Sequence, residues 1–199
     1  MAKLYFKFGA MGSSKTAQAL ITKFNYEERN MKVMFLKPAI DTRDNAAVIR
    51  SRIGLEAPAI LVREDEDLYA LYRDVYEDCR VIIVDECQFL TEKQVDELGQ
   101  IVIDYDIPVL CFGLRSDFRT QLFPGSKRLF EIAESITEIK SICECGAKAT
   151  VNARFDDAGR LVTTGAQVVI GGNGRYKAMC RKCWLKLQEK QRAEEEREG

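Results

Sequence analysis

Gly9-Ala10-Met11-Gly12-Ser13-Ser14-Lys15-Thr16 is the stretch whose reading decides the fold. It follows a β-rich run, Lys3 to Phe8, and opens a segment, Ser14 to Tyr26, whose apolar residues recur at helical spacing. A strand, a glycine-bearing turn, Lys-Thr and then a helix is the context of a phosphate-binding loop. Successive backbone N–H groups and the helix N-terminus surround phosphate oxygens, Lys15 supplies a point charge, and the Thr16 hydroxyl is a magnesium ligand. The usual pattern has Gly before the Lys. Here Ser14 stands there, and Ser tolerates positive φ less well than Gly.

Working outward, further β-rich runs at Lys32 to Lys37, Ala59 to Val62, Arg80 to Val84 and Pro108 to Gly113 alternate with helical patterns at Glu64 to Tyr76, Thr91 to Asp104 and Ser126 to Ser135. That alternation predicts βαβ units. The strands are nearly continuous in apolar residues, as expected when helices cover both faces of a parallel sheet. Residues 1–141 are therefore read as one α/β, phosphate-loop domain. Thr91 starts a plausible N-cap run.

Val81 to Val84 ends in Asp85-Glu86, and ligands of such sheets gather at the carboxyl ends of strands. Asp85 is placed to hold magnesium, and Glu86 to reach a substrate hydroxyl or orient a water. With no His in the chain, acid-base work falls to carboxylates or lysines.

After Ile142 the texture changes. Cys143-Glu144-Cys145 and Cys180-Arg181-Lys182-Cys183 enclose 34 residues that include a Gly-rich stretch, with possible strands at Ala149 to Phe155 and Gln167 to Ile170. Four thiolates suit a closed tetrahedral zinc site, although the first pair is one residue tighter than C-x-x-C. A redox dithiol and unconnected buried thiols are the alternatives. Residues 142–187 read as a second, smaller unit, and 188–199 as a charged, solvated tail. Cys79, Cys87 and Cys111 read as core.

Composition bounds the partners. The chain has 199 residues, 46% apolar and 31% charged, with a net charge of −1, so no global field draws a nucleic-acid backbone or an anionic membrane. No apolar run approaches the roughly 20 residues needed to span a bilayer. Lys3 and Lys7 interrupt the first apolar run and no small-residue cleavage pattern follows, so the expected address is cytoplasmic. Spacing alone leads to a magnesium-dependent phosphotransferase or ATPase. A nucleoside-monophosphate kinase and a zinc-ribbon module binding nucleic acid are its rivals.

Taken together, Gly9 to Thr16, Asp41-Thr42-Arg43, Asp85-Glu86-Cys87-Gln88-Phe89, Gly113 to Arg119 with Phe123, and Gln167 to Gly172 followed by Tyr176 resemble the thymidine kinases of the human cytosolic-like (type II) family. The resemblance runs to about Leu187. It implies transfer of the γ-phosphoryl of ATP to the 5'-hydroxyl of thymidine or deoxyuridine, with Glu86 matching the catalytic base. Gly9 to Thr16, Asp85, Gln88 and Arg43 would bind ATP, with Mg2+ at Thr16 and Asp85. Met11, Asp41, Phe89, Leu114, Phe118 and Phe123 would meet the nucleoside, the apolar ones as its floor. A lasso loop, Thr163 to Tyr176, would close over the base, with Thr163, Gln167, Val168, Val169, Ile170, Gly171, Gly172 and Tyr176 as contacts. A structural zinc would sit on Cys143, Cys145, Cys180 and Cys183. The family is commonly tetrameric and inhibited by thymidine triphosphate, so a homotetramer with that feedback ligand is expected. Removing the zinc is expected to loosen the lasso and leave the loop at Gly9 to Thr16 able to bind nucleotide.

Overall fold

Strand β1 (Leu4–Phe8) runs into the glycine turn and helix α1 (Lys15–Glu27), then β2 (Val33–Pro38). The computed structural model describes residues 1–39, 47–167 and 175–198. A short antiparallel hairpin follows, β3 (Val48–Arg50) with β4 (Glu56–Pro58), and then β5 (Ile60–Val62). Helix α2 (Leu68–Leu71) continues as a π-helical turn over Tyr72–Tyr76 and leads to β6 (Val81–Val84). A 3-10 turn at Cys87–Phe89 precedes α3 (Glu92–Tyr105), β7 (Val109–Gly113), α4 (Pro124–Ile132) and β8 (Ser135–Glu138). Beyond these lie β9 (Ser141–Ile142), β10 (Lys148–Ala149), β11 (Val151–Phe155), β12 (Leu161–Val162), β13 (Tyr176–Met179) and α5 (Arg181–Glu198).

The main sheet has the order β5-β2-β6-β7-β1-β8, and every pairing in it is parallel. Successive strand residues face opposite sides. In β6, Ile82 and Val84 enter the core under α3 with Leu4, Phe6 and Met34, while Val81 and Ile83 join Ala19, Leu20, Phe35 and Ile49 on the α1 side. All four β6 residues are buried, which accounts for their unbroken apolar run. Cys79, Cys87 and Cys111 are core residues, at 4%, 0% and 0% exposure.

Helix α3 starts where Thr91 indicates. Its hydroxyl accepts the Gln94 N–H while the Gln94 side chain accepts the Thr91 N–H, closing a capping box. Three boundaries differ from the sequence reading. The helix expected from Glu64 begins only after Asp67, whose carboxylate caps Ala70 N–H at 2.8 Å. Helix α4 begins at Pro124, a residue pre-set for a first turn, and ends at Ile132, so Ser135 starts the edge strand β8 instead of closing a helix. The hairpin of β3 and β4 was not expected.

After β8 the chain forms two small antiparallel sheets, β10-β9 and β12-β11-β13. Helix α5 extends past the expected apolar part and lies along β12. There the Gln191 side chain accepts the Leu161 N–H at 2.9 Å and donates to the Leu161 carbonyl at 3.3 Å, and Arg160 pairs with Glu195 at 2.5 Å. The segment read as a free tail thus has partners. Among the described residues no helix is long and apolar enough to cross a membrane.

Candidate active site

β1, β6 and β7 bring their carboxyl ends together, because β7 lies between the other two in the sheet. The turn after β1 places Lys15 at 8% exposure, its ammonium donating to the carbonyls of Gly9 at 3.1 Å and Ala10 at 2.9 Å and to Ser13 Oγ at 3.2 Å. Burial lowers the Lys15 pKa, opposed by the carboxylates of Glu86 and Asp85. Ser14 adopts φ +61° and Gly12 φ +75°. The position where glycine is usual is therefore left-handed here too, and a non-glycine residue in that region costs roughly 1–2 kcal/mol.

Asp85 follows β6 at 4% exposure, with the Thr16 hydroxyl near enough to favour its charged form. Burial and then the adjacent Glu86 charge raise its pKa to about 7. The two oxygens are hard donors that suit a small divalent cation. Glu86 takes φ +56°, which turns the chain from β6 into the 3-10 turn. Its carboxylate accepts Gln88 Nε2 at 2.5 Å, and Gln88 Oε1 accepts the Leu114 N–H at 2.9 Å. Gln88 is fully buried, so its amide anchors Glu86 to the end of β7. A β-carbon on Gly113 would come within 2.6 Å of both Cys87 Sγ and Gln88 Oε1, which explains glycine at that strand end.

A cavity of about 390 Å³ is lined by Gln88, the hydrogen-bond partner of Glu86, with Phe89, Phe123 and Gln167 among its other walls; Glu86 itself does not line it. Phe89 and Phe123 meet edge to face at 5.4 Å. Pro38, Val62 and Glu64 close the side toward β2 and β5. Other expected nucleoside contacts, Met11, Leu114, Phe118, Thr163 and Tyr176, do not line it. Phe118 is buried under the Arg154 guanidinium, 3.9 Å above its ring, and Thr163 is exposed just past β12. Arg154 also donates to the carbonyls of Ala166 at 3.0 Å and Thr164 at 3.4 Å. Asp41, Arg43, Val168, Val169, Ile170, Gly171 and Gly172 lie outside the described residues.

The sulfurs of Cys143, Cys145, Cys180 and Cys183 lie within 4.8 Å of one another, and those of Cys145 and Cys180 are 3.7 Å apart. A tetrahedral zinc thiolate site has sulfurs about 3.8 Å apart, given bonds of about 2.3 Å, so the cluster fits a closed metal site. Ala10, in the turn after β1, belongs to one small buried cluster with Cys143, Ala149 and Cys180.

Sequence reasoning missed three residues. Arg154 and Asn152 sit in a strand whose side-chain directions depend on its pairing with β13. Arg52 lies in the turn of the unexpected hairpin, with its Nη1 3.8 Å from where a Gly12 β-carbon would stand. The signal available for it was Ser51 and Gly54, turn residues between β-branched Val48-Ile49 and Ala57.

Residues 2–184 match the family model described as Thymidine kinase. A thymidine kinase of Zymomonas mobilis is 47% identical over 187 residues, covering 93% of this chain and 97% of the relative. One of Photobacterium profundum is 45% identical over 186 residues, 92% of this chain and 96% of its own. One of Escherichia coli K12 is 46% identical over 184 residues, 92% and 90% respectively.

Proposed function

The chain belongs to the thymidine kinase family, and on that premise we propose that it transfers the γ-phosphoryl of ATP to the 5'-hydroxyl of thymidine or deoxyuridine, with Glu86 as general base. Thymidine phosphorylation for nucleotide salvage follows from the family itself. The observation that carries the finer reading is the Glu86 carboxylate, held by Gln88, which also lines the cavity, and within electrostatic reach of Lys15.

In this reading the acceptor hydroxyl lies in the cavity with the base against Phe89 and Phe123, and Glu86 takes its proton as the oxygen attacks. Lys15 exchanges its three loop contacts for donor phosphate oxygens, and the backbone of the Gly9 to Thr16 turn cradles them. Thr16 and Asp85 are the residues that would hold Mg2+, which when bound neutralises charge on the phosphates. Arg43 and Asp41 are assigned to the phosphates and the nucleoside, and Thr163 to Tyr176 to a lasso that closes over the base. The sequence motifs support the human cytosolic-like (type II) branch.

We assign residues 1–141 to the catalytic domain and 142–187 to a lid unit stapled by zinc on the four cysteines. Four sulfur ligands leave no open position, so that zinc is structural. The protein is placed in the cytoplasm and its assembly is a homotetramer, supported by Ile21 and Phe24, which stand 47% and 58% exposed on α1. Thymidine triphosphate is the proposed feedback ligand, and a net charge of −1 gives no reason for nucleic acid as a partner.

A monophosphate acceptor would need free arginines. Arg119 is instead paired with Asp117 at 2.9 Å and Arg115 donates to Thr150 O at 3.2 Å. A panel of acceptors with labelled ATP tests the reading. Thymidine and deoxyuridine should be phosphorylated, and deoxycytidine, purine nucleosides and thymidine monophosphate should be poor. Equal rates with thymidine and its monophosphate would overturn it.

A further inference from the structure

The hairpin of β3 and β4 is anchored in the body of the protein while its turn reaches the phosphate loop. Ile49 is 2% exposed and packs with Ala19, Leu20 and Phe35 in the core on the α1 side. The turn itself is closed by a set of local bonds. Ser51 N–H donates to Leu55 O at 2.8 Å, Leu55 N–H to Ser51 Oγ at 3.0 Å, and Gly54 N–H to Ser51 O at 3.2 Å. A rigid turn on a buried anchor fixes where its side chains point.

The two arginines of this hairpin are treated differently. Arg50 pairs with Glu56 across the strands at 2.6 Å, whereas Arg52 makes no ion pair among the described residues. Its Nη1 stands 3.8 Å from the β-carbon position of Gly12, over the apex of the loop. Lys15 is close enough for the two positive charges to oppose each other. Glu86 and Asp85 offset the Lys15 charge, whereas Arg52, with no ion pair among the described residues, brings a further positive charge to the same turn, an arrangement that a bound anion would complete. Arg, with a planar fork of donors, is the side chain best suited to bridging phosphate oxygens.

We infer that Arg52 is a donor-phosphate ligand, reaching the triphosphate of ATP from the open side of the Gly9 to Thr16 loop, opposite Lys15. The hairpin is then a device that brings a second cation to the triphosphate in cis. The inference rests on reading that loop as the donor site, and it adds a residue from outside the loop.

The test is calorimetric titration of ATP and of thymidine, separately, into the full chain carrying Arg52→Met, Arg52→Lys, Ile53→Ala or Lys15→Ala. Arg52→Met keeps an unbranched stem without the charge, and should weaken ATP binding about ten- to a hundred-fold, the worth of one or two charge-assisted hydrogen bonds. Thymidine affinity and the melting temperature should be unchanged. Arg52→Lys should recover most of the loss. Ile53 is 72% exposed, so Ile53→Ala, which alters the same turn and spares the charge, should bind ATP as the parent does. Wild-type ATP affinity in Arg52→Met, or an equal loss in Ile53→Ala, would overturn the inference. If Lys15→Ala also bound ATP normally, the donor-site reading of the loop would fall with it. Loss in Lys15→Ala alone would sink only the role of Arg52.

Discussion

Asn152 Oδ1 accepts the Met11 backbone N–H at 2.8 Å, and the same side chain donates to Ser116 O at 2.9 Å. One amide, 3% exposed, thereby joins β11 to the phosphate loop and to the segment after β7. Ala10, the neighbour of Met11, shares a small buried cluster with Cys143, Ala149 and Cys180. Loop and cysteine unit share one packed boundary.

That boundary changes what metal loss should do. The sequence suggests that removing a cysteine ligand would loosen the lasso and spare the loop. The contacts of Ala10 and Met11 lead us to expect that Cys180→Ser weakens ATP binding as well as thymidine binding. Metal analysis with separate titrations of the two ligands checks this. Parent-like ATP affinity in a metal-free variant would show that the loop holds its shape alone.

Glu86→Gln should lower turnover about 10² to 10⁴-fold, the usual worth of general-base assistance, with ATP affinity kept within a few-fold. Gln88→Leu should give a smaller loss in turnover, because Glu86 stays but loses the amide that holds it. Steady-state kinetics separate the two. A Glu86→Gln enzyme with nearly full turnover would assign that carboxylate a structural role.

Asp85 gives the nucleotide-free chain a pH-dependent stability. Burial first, and Glu86 second, raise its pKa from 3.8 to about 7. The folded state holds this proton more tightly than the unfolded state does. The contribution is therefore full below 3.8 and is lost as pH rises through about 7. Denaturant midpoints should fall across that window, and Asp85→Asn should flatten the fall. An unchanged slope in the variant would show that other groups carry it.

Arg154 links Phe118 of the main body to the carbonyls at the start of the lasso stretch. Arg154→Ala removes a cation–π contact and both hydrogen bonds, together worth about 1–3 kcal/mol. We expect the KM for thymidine to rise by about ten-fold or more and the KM for ATP to stay nearly constant. Lys in place of Arg should recover little, since one ammonium cannot stack and also reach two carbonyls. A parallel rise in both KM values would instead place the loss in the fold.

The parts of this architecture that are local in sequence were legible there. Gly9 to Thr16 declares itself because a phosphate loop needs contiguous backbone, Val81 to Val84 because both its faces are covered, and Thr91 because its cap partner is three residues away. What escaped depends on distant chain. None of the four residues of β8 is fully buried, and Ser135 to Glu138 is a strand only because β1 offers an open edge. The hold of Gln88 on Leu114, 26 residues on, shows in no local pattern. The hairpin carrying Arg52 is short, half polar and held by one buried side chain, Ile49, so its pattern is weak.

Gln191 has a consequence for the company the molecule keeps. β12 is an outer strand of its three-stranded sheet, and a bare outer strand is a template on which a foreign chain can add by main-chain pairing. The Gln191 amide, one donor and one acceptor, takes the outward N–H and carbonyl of Leu161 as a neighbouring peptide group would. The charged end of α5 is in this sense a stopper, holding the β12 edge against main-chain pairing with a foreign strand.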